Sequence, residues 1–253
     1  VNDKGQFGSP IRPRTKKSDR RRKYRRARKN FFIAFLIDLV VILATALVLS
    51  LLIKTFLIRS FFIPSGSMLE TLQIDDRIIV NQLTPALYPI NRGDVVVFKD
   101  PGGWLGPETP EPTDPVVVTV DWLLSVFGIT APDSKQHLVK RVIGIEGDQV
   151  ICCDTEGKIT VNGVPITEGY ISPGQAPSTV EFDVTVPKGS LWVLGDNRGN
   201  SEDSRFHGDL PSKGFVSNDW VVGRAMIISW PVENWNFLDN YSDVFKDIPK
   251  PSN

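Results

Sequence analysis

Histidine and cysteine are almost missing from this chain, and each scarcity removes chemistry. His137 and His207 are the only histidines in 253 residues, which leaves little for an imidazole-based site to use. The only cysteines, Cys152 and Cys153, are adjacent. With no histidine beside them and no second cysteine pair, they lack the ligand spacing of a zinc site, and no metal is expected. On a regular strand neighbouring thiols point to opposite faces, and a bond between them forces a strained backbone. Two free or partly buried thiols are therefore favoured, although a disulfide is permitted outside the cytoplasm. No internal repeat is evident. Long apolar runs are equally scarce: there is one, and no second stretch reaches membrane-span length.

That run extends from Phe31 to Ile53 with Asp38 as its only charge. Its 23 residues make about 34 Å of helix, enough for a hydrocarbon core of roughly 30 Å. Ala44-Thr45-Ala46 looks like a signal-peptide cleavage site, but Leu47 to Ile53 continues the apolar run and buries that site in mid-membrane. An uncleaved single-pass anchor is the better reading. The formal net charge of zero hides a division. Residues 1–30 hold 13 of the 29 Lys and Arg and 2 of the 29 Asp and Glu, a net of +11, and the remainder is −11. Arg20-Arg21-Arg22-Lys23-Tyr24-Arg25-Arg26 could bind nucleic acid. Directly before an apolar span, it is better explained by cytoplasmic retention and anionic phospholipid heads. The N-terminus is thus expected inside the cytoplasmic membrane, with the bulk of the chain outside and no nucleic-acid partner.

Four regions follow: a basic arm (1–30), disordered by its composition; anchor and exit (31–58); a β domain (59–232) with an insertion at 99–135; and a loosely held tail (233–253). Short β-type runs punctuated by turns predict strands at Arg77–Val80, Val95–Phe98, Leu138–Ile145, Val150–Cys153, Ile159–Val161, Thr179–Val186, Leu191–Leu194 and Val221–Ser229. Asn162-Gly163 between Ile159–Val161 and Val164–Ile166 is a two-residue hairpin signal. Many short strands without long helical patterns predict a mainly β, antiparallel domain.

A serine hydroxyl becomes a useful nucleophile only when something takes its proton. A Ser-His-Asp triad remains open on composition, since the order of its members varies between folds. Lys140 offers another base: beside Leu138, Val139, Val142 and Ile143 its amine would be desolvated, which lowers a lysine's pKa. By itself Lys140 is most simply an outward-pointing strand residue. Pro64-Ser65-Gly66-Ser67-Met68, Lys140-Arg141-Val142-Ile143-Gly144 and the eleven residues from Gly195 to Arg205 decide the matter. Together and in this order they resemble the bacterial type I signal peptidases, membrane serine peptidases that use a Ser-Lys pair. The likeness spans residues 60–230, including Arg92 to Phe98 and Val222-Gly223-Arg224-Ala225. One departure is Asp75, which stands where the family commonly has glycine and puts the local turn in question.

The resemblance implies a signal-peptidase type of antiparallel β fold, without cofactor, behind one transmembrane helix. It implies Ser67 as nucleophile, Lys140 as general base and Ser65 as oxyanion donor beside the backbone N–H of Ser67. Ser201 would orient the lysine amine, and Asp203 and Arg205 would form a supporting ion pair. Phe61, Ile63, Pro64, Met68, Leu72, Leu138 and Val139 would line shallow apolar pockets for an extended substrate with Ala-x-Ala before the cut, although each could equally be core. The implied activity is removal of signal peptides from exported preproteins. A non-catalytic chaperone for pilus or surface-protein assembly would have lost Ser67 or Lys140, and both are present. A self-cleaving Ser-Lys repressor would carry a helix-turn-helix pattern, which is absent. The insertion matches no motif. Trp122, Leu123, Leu124, Val126, Phe127 and Ile129 on their Pro-rich linker suit either contact with the outer leaflet or packing onto the β domain.

Overall fold

The structure, a computed structural model, describes residues 16–106 and 136–251, with backbone alone at 16–30 and 54–56. The apolar stretch of the insertion lies outside the described residues. Two compact units are present, divided near residue 51.

The first is helix α1, Lys16–Phe56. Side chains from Phe31 to Ile53 are exposed all round. A helix apolar on every face with no protein cover is matched to lipid. The start at Lys16 corrects the expected disorder of the basic arm, half of which is helical. Lys, Arg and Ala are good helix formers, and extending a helix already nucleated by the apolar segment costs far less than starting one.

The second unit is mainly antiparallel β. Its large sheet contains β1 (Ile58–Phe62), β2 (Arg77–Asn81), β3 (Val95–Lys99), β4 (His137–Ile145), β9 (Ser190–Leu194), β10 (Val216–Ser217) and β11 (Val221–Trp230). They run in the order β1-β2-β11-β3-β4-β9-β10, with β12 (Asn236–Phe237) beside β11. A second sheet, order β7-β6-β5-β8, comprises β5 (Gln149–Cys152), β6 (Ile159–Val161), β7 (Val164–Pro165) and β8 (Phe182–Thr185). Asn162 and Gly163 turn the β6–β7 hairpin with φ of 52° and 79°, the positive values that a tight two-residue hairpin needs.

Three apolar clusters hold the domain. Ile143, Val150, Ile159 and Trp192 tie the two sheets together; Phe61, Ile63, Met68, Leu72, Ile78 and Val80 pack under β1 and β2; Val96, Phe98, Leu138 and Val193 fill the third.

The tail is packed, which corrects the expectation that it is loosely held. Phe245, in α2 (Ser242–Phe245), and Ile248 are buried in the cluster that joins the sheets. The Pro249 carbonyl accepts from Arg92 Nη2 at 3.1 Å and Asn162 Nδ2 at 3.2 Å. A Cβ on Gly93 (φ +85°) would lie 1.8 Å from the Asn240 carbonyl oxygen, so only glycine lets the tail come this close. The cysteines also depart from expectation: they are joined by a disulfide. β5 ends at Cys152, so Cys153 is not on a regular strand and the alternation that would separate two thiols does not apply.

Candidate active site

Between β1 and β2 the chain makes a 14-residue loop whose ends are clasped by Ile63 N–H to the Asp76 carbonyl (2.9 Å) and Asp75 N–H to the Ile63 carbonyl (3.0 Å). Gly66–Met68 forms one turn of 3₁₀ helix. Met68 and Leu72 are buried beneath it, and the apolar anchor at 68 leaves Ser67 on the rim. Asp75 has φ 72°, a left-handed conformation that suits glycine and that aspartate tolerates at some cost.

Lys140 sits within β4, opposite Val96 of β3, and only 3 % of it is exposed. Its Nζ lies 2.7 Å from Ser67 Oγ. Burial pushes the amine down from 10.5 to about 8, against the opposing pull of Asp203 and Asp196. A neutral amine is thus available near physiological pH to accept the serine proton. Ser65 Oγ, exposed, is 3.4 Å from Ser67 Oγ.

The segment after β9 closes the site from the other side. Asp203 and Arg205 form a two-pronged ion pair, Nε to Oδ1 and Nη2 to Oδ2, both 2.8 Å. Asp203 Oδ2 also accepts from Gly195 N–H at 3.0 Å. Ser201 is buried beside them, but among the described residues its Oγ makes no hydrogen bond, so the predicted bond to Lys140 is absent. The hydroxyl packs against Gly195 instead. A Cβ there would lie 2.1 Å from Ser201 Oγ and 2.5 Å from the Ser67 carbonyl oxygen, so glycine is required for the two loops to touch.

The pocket residues divide. Phe61, Ile63, Met68 and Leu72 share one cluster, with Val139 packed against it, and Pro64 is exposed at its rim. Leu138 belongs to the third cluster, with Val96 and Phe98; neighbours on a strand face opposite ways, so it does not line the same pocket as Val139.

Several contributors had no assigned role in the sequence. Asn197 donates from its backbone N–H to the Ser67 carbonyl (3.1 Å) and from Nδ2 to the Gly66 carbonyl (2.9 Å). Arg141, wholly buried, makes a two-pronged pair with Asp196 (2.9 and 2.7 Å) and lies over the rings of Tyr170 and Tyr241. Thr71 Oγ1 donates to the same carboxylate at 2.5 Å, tying the nucleophile loop to it. Adjacent Lys140 and Arg141 inside an apolar strand were the available signal: with alternating faces, both must bury charge. His207 is not a base for Ser67. Its Nδ1 meets the Asp203 carbonyl at 2.7 Å and its ring stacks on Trp104 at 4.3 Å. The hydroxyl of Ser67 has Lys140 and Ser65 as its partners among the described residues. No group of His, Cys, Asp and Glu able to hold a metal occurs among them.

An antiparallel β domain following a span-length helix, with a serine hydroxyl against a lysine amine instead of an imidazole, places the chain in the class of membrane serine peptidases. Within that class the match is specific: the family described as signal peptidase, peptidase S26, covers residues 36–230, and the chain belongs to it. It is 37% identical over 221 residues to a signal peptidase I of Mycobacterium tuberculosis, covering 79% of this chain and 74% of that protein. A probable signal peptidase I of Mycobacterium leprae is 35% identical over 226 residues, covering 78% and 77%. A signal peptidase I of Leptolyngbya laminosa is 35% identical over 188 residues, covering 74% and 76%. A crystal structure of a signal peptidase I from Enterococcus faecalis V583 aligns at 25% identity over 53% of this chain and 95% of that one. Its TM-score is 0.33, too low to carry an argument.

Proposed function

We propose that this chain is a signal peptidase that cleaves exported preproteins after an Ala-x-Ala type site with Ser67 as nucleophile and Lys140 as general base. The observation that carries the reading is the 2.7 Å approach of Lys140 Nζ to Ser67 Oγ inside a buried setting that lowers the amine to about 8. Ser67 Oγ attacks the scissile carbonyl carbon while its proton passes to neutral Lys140. The carbonyl oxygen, now an anion, accepts from the backbone N–H of Ser67 and the hydroxyl of Ser65, which rotates from its long contact with Ser67 toward the oxyanion. Collapse breaks the C–N bond, and the leaving amine takes the proton from Lys140. Water, deprotonated by Lys140, then hydrolyses the acyl-enzyme and releases the signal peptide. Asp203, Arg205 and Asp196 touch no reacting atom; they shape the wall against which the lysine is held.

The apolar cluster of Phe61, Ile63, Met68 and Leu72 next to Ser67 supports small aliphatic side chains before the cut. The basic segment before the apolar span supports a cytoplasmic N-terminus, with catalysis on the outer side of the membrane.

Cleavage of one Ala-x-Ala preprotein by the full chain in detergent or lipid tests the reading. Ser67→Ala and Lys140→Ala should each reduce the rate on the order of 10⁴-fold or more, and the double variant little further, because members of one catalytic unit are not additive. Full activity in Lys140→Ala would overturn the assignment. Preprotein binding by the wild type without any cleavage would instead make the chain a chaperone.

A further inference from the structure

Among the contacts that the loop from Glu168 to Ser178 makes with the site, the one through Gln175 is chemically directional. Gln175 Nε2 donates to Asn197 Oδ1 at 3.1 Å. Asn197 Nδ2 then donates to the Gly66 carbonyl at 2.9 Å. That carbonyl and the N–H of Ser67 belong to one planar peptide group. Three amides therefore follow each other with their dipoles aligned, and the last N–H is the oxyanion donor of the proposed mechanism. Aligned hydrogen bonds polarise one another, so each donation upstream makes the final N–H a better donor and restricts the tilt of its plane.

An asparagine amide has two nearly isosteric orientations, and only one of them puts a donor on Gly66. The Gly66 carbonyl, which can only accept, favours the one with Nδ2 toward it. The backbone N–H of Asn197 is committed to Ser67 and is indifferent to the side chain's flip. Gln175 enforces the same orientation: a donor facing Oδ1 leaves Nδ2 to face Gly66. Gln175 Oε1 is buried with no hydrogen-bond partner among the described residues. Its amide thus serves through its donor alone, and packing alone does not call for a polar side chain there.

We infer that Gln175 is a positioning residue that holds the Asn197 amide in the orientation the Gly66 carbonyl needs and, through the Gly66–Ser67 peptide, holds the oxyanion donor. The inference rests on the Ser67–Lys140 reading above. It predicts an order of variants opposite to what packing would give. Glutamate is nearly the shape of glutamine, so a packing role makes Gln175→Glu milder than Gln175→Ala. An amide-setting role makes it worse. A carboxylate can only accept, so it draws Nδ2 away from Gly66 and turns Oδ1 against the Gly66 carbonyl.

The test is steady-state cleavage of an Ala-x-Ala preprotein by the full chain, with Gln175→Glu, Gln175→Ala, Gln175→Met and Ser67→Ala measured together. Gln175→Glu should lower kcat by about 10- to 100-fold and the Ala and Met variants by about 3- to 10-fold, fractions of a whole oxyanion donor, with KM within about twofold. The losses should persist above pH 9, beyond the value of about 8 to which burial pushes Lys140 in the wild type, and Gln175→Met should keep the wild-type Tm. Wild-type kcat in Gln175→Glu, an effect milder than that of Gln175→Ala, a change confined to KM, or a loss that disappears above pH 9 would each overturn the inference. If Gln175→Glu does not fold, unchanged kcat in Gln175→Met overturns it. An active Ser67→Ala would defeat the catalytic reading itself. An inactive Ser67→Ala with wild-type kcat in Gln175→Glu would defeat only the role given to Gln175.

Discussion

The loop that carries Ser67 and the segment from Gly195 to Arg205 meet at the same site and are built on opposite lines. The first is open: Pro64, Ser65 and Glu70 are exposed, and Glu70 and Asp75 have φ of 80° and 72°. The second is closed, and it buries charge. Asp196 is held by Arg141, Arg198 by Glu168 and Asp203 by Arg205, with the side chains of all six essentially out of solvent. A hydroxyl that must receive a polypeptide cannot be packed over, so beyond the clasp at its ends and the anchors Met68 and Leu72 its loop needs order from outside. The neighbouring segment supplies it, through Asn197 on the two carbonyls and Asp196 on Thr71. Paired charges in a low-dielectric interior resist displacement, because separating them leaves one uncompensated.

If this contrast is right, the largest effect on stability comes from the closed side. Asp196→Ala leaves Arg141 buried and unpaired and should cost about 3–5 kcal/mol of unfolding free energy, with part of it recovered in Asp196→Ala/Arg141→Met. Chemical denaturation measures this, and a cost under about 1 kcal/mol would erase the distinction between the two loops. The exposed Ser65 should behave in the reverse way. Ser65→Ala should lower kcat by about 10²- to 10³-fold, with KM and Tm nearly unchanged. A fall in Tm would show that the open loop is structural after all.

Titration sharpens the comparison further. The pKa of Lys140 is lowered from 10.5 to about 8, so below about 8 most of the base is protonated. The rate kcat/KM should rise about tenfold per pH unit on the acid side and level off above about 8. Stability should move in the same direction: between about 8 and 10.5 the unfolded chain holds a proton that the folded chain has lost, so unfolding becomes harder as pH rises. A flat rate profile from pH 6 to 9 would remove Lys140 as the base. The smallest effect is at Asp75. Asp75→Gly relieves a left-handed residue and should raise stability by about 0.5 kcal/mol, with the gain limited by the greater freedom of the unfolded chain. An unchanged or lower Tm would mean that this aspartate is not strained.

Much of the domain was legible because strands announce themselves locally. β3, β6 and β11 stand where short apolar runs between turns put them. β1 was not anticipated: Ile58–Phe62 follows directly on the apolar anchor, and no local signal separates strand from span. β12 and the tail were missed for a related reason. Aromatics mixed with Asn, Asp and Pro read as irregular until a partner exists, and here Ile227 and Ile228 of β11 provide it. The disulfide could not be read either, because it depends on β5 ending between the two cysteines.

Within the site, the residue types alone established a great deal. Three motifs in order singled out Ser67 and Lys140, and a lysine flanked by Leu, Val and Ile loses its water and its basicity once the fold buries it. The apolar span and the basic segment before it are equally local, because length and charge suffice to define them. Tertiary structure decided the rest. It placed Lys140 on Ser67, 73 residues away, and Asn197 on Gly66, 131 residues away. It set the hydroxyl of Ser201 against Gly195 instead of against the lysine. Hydrogen bonds act over about 3 Å and depend on direction, and no pattern along a chain specifies which of several polar groups, brought together by the packing of two sheets, will meet at that distance and angle.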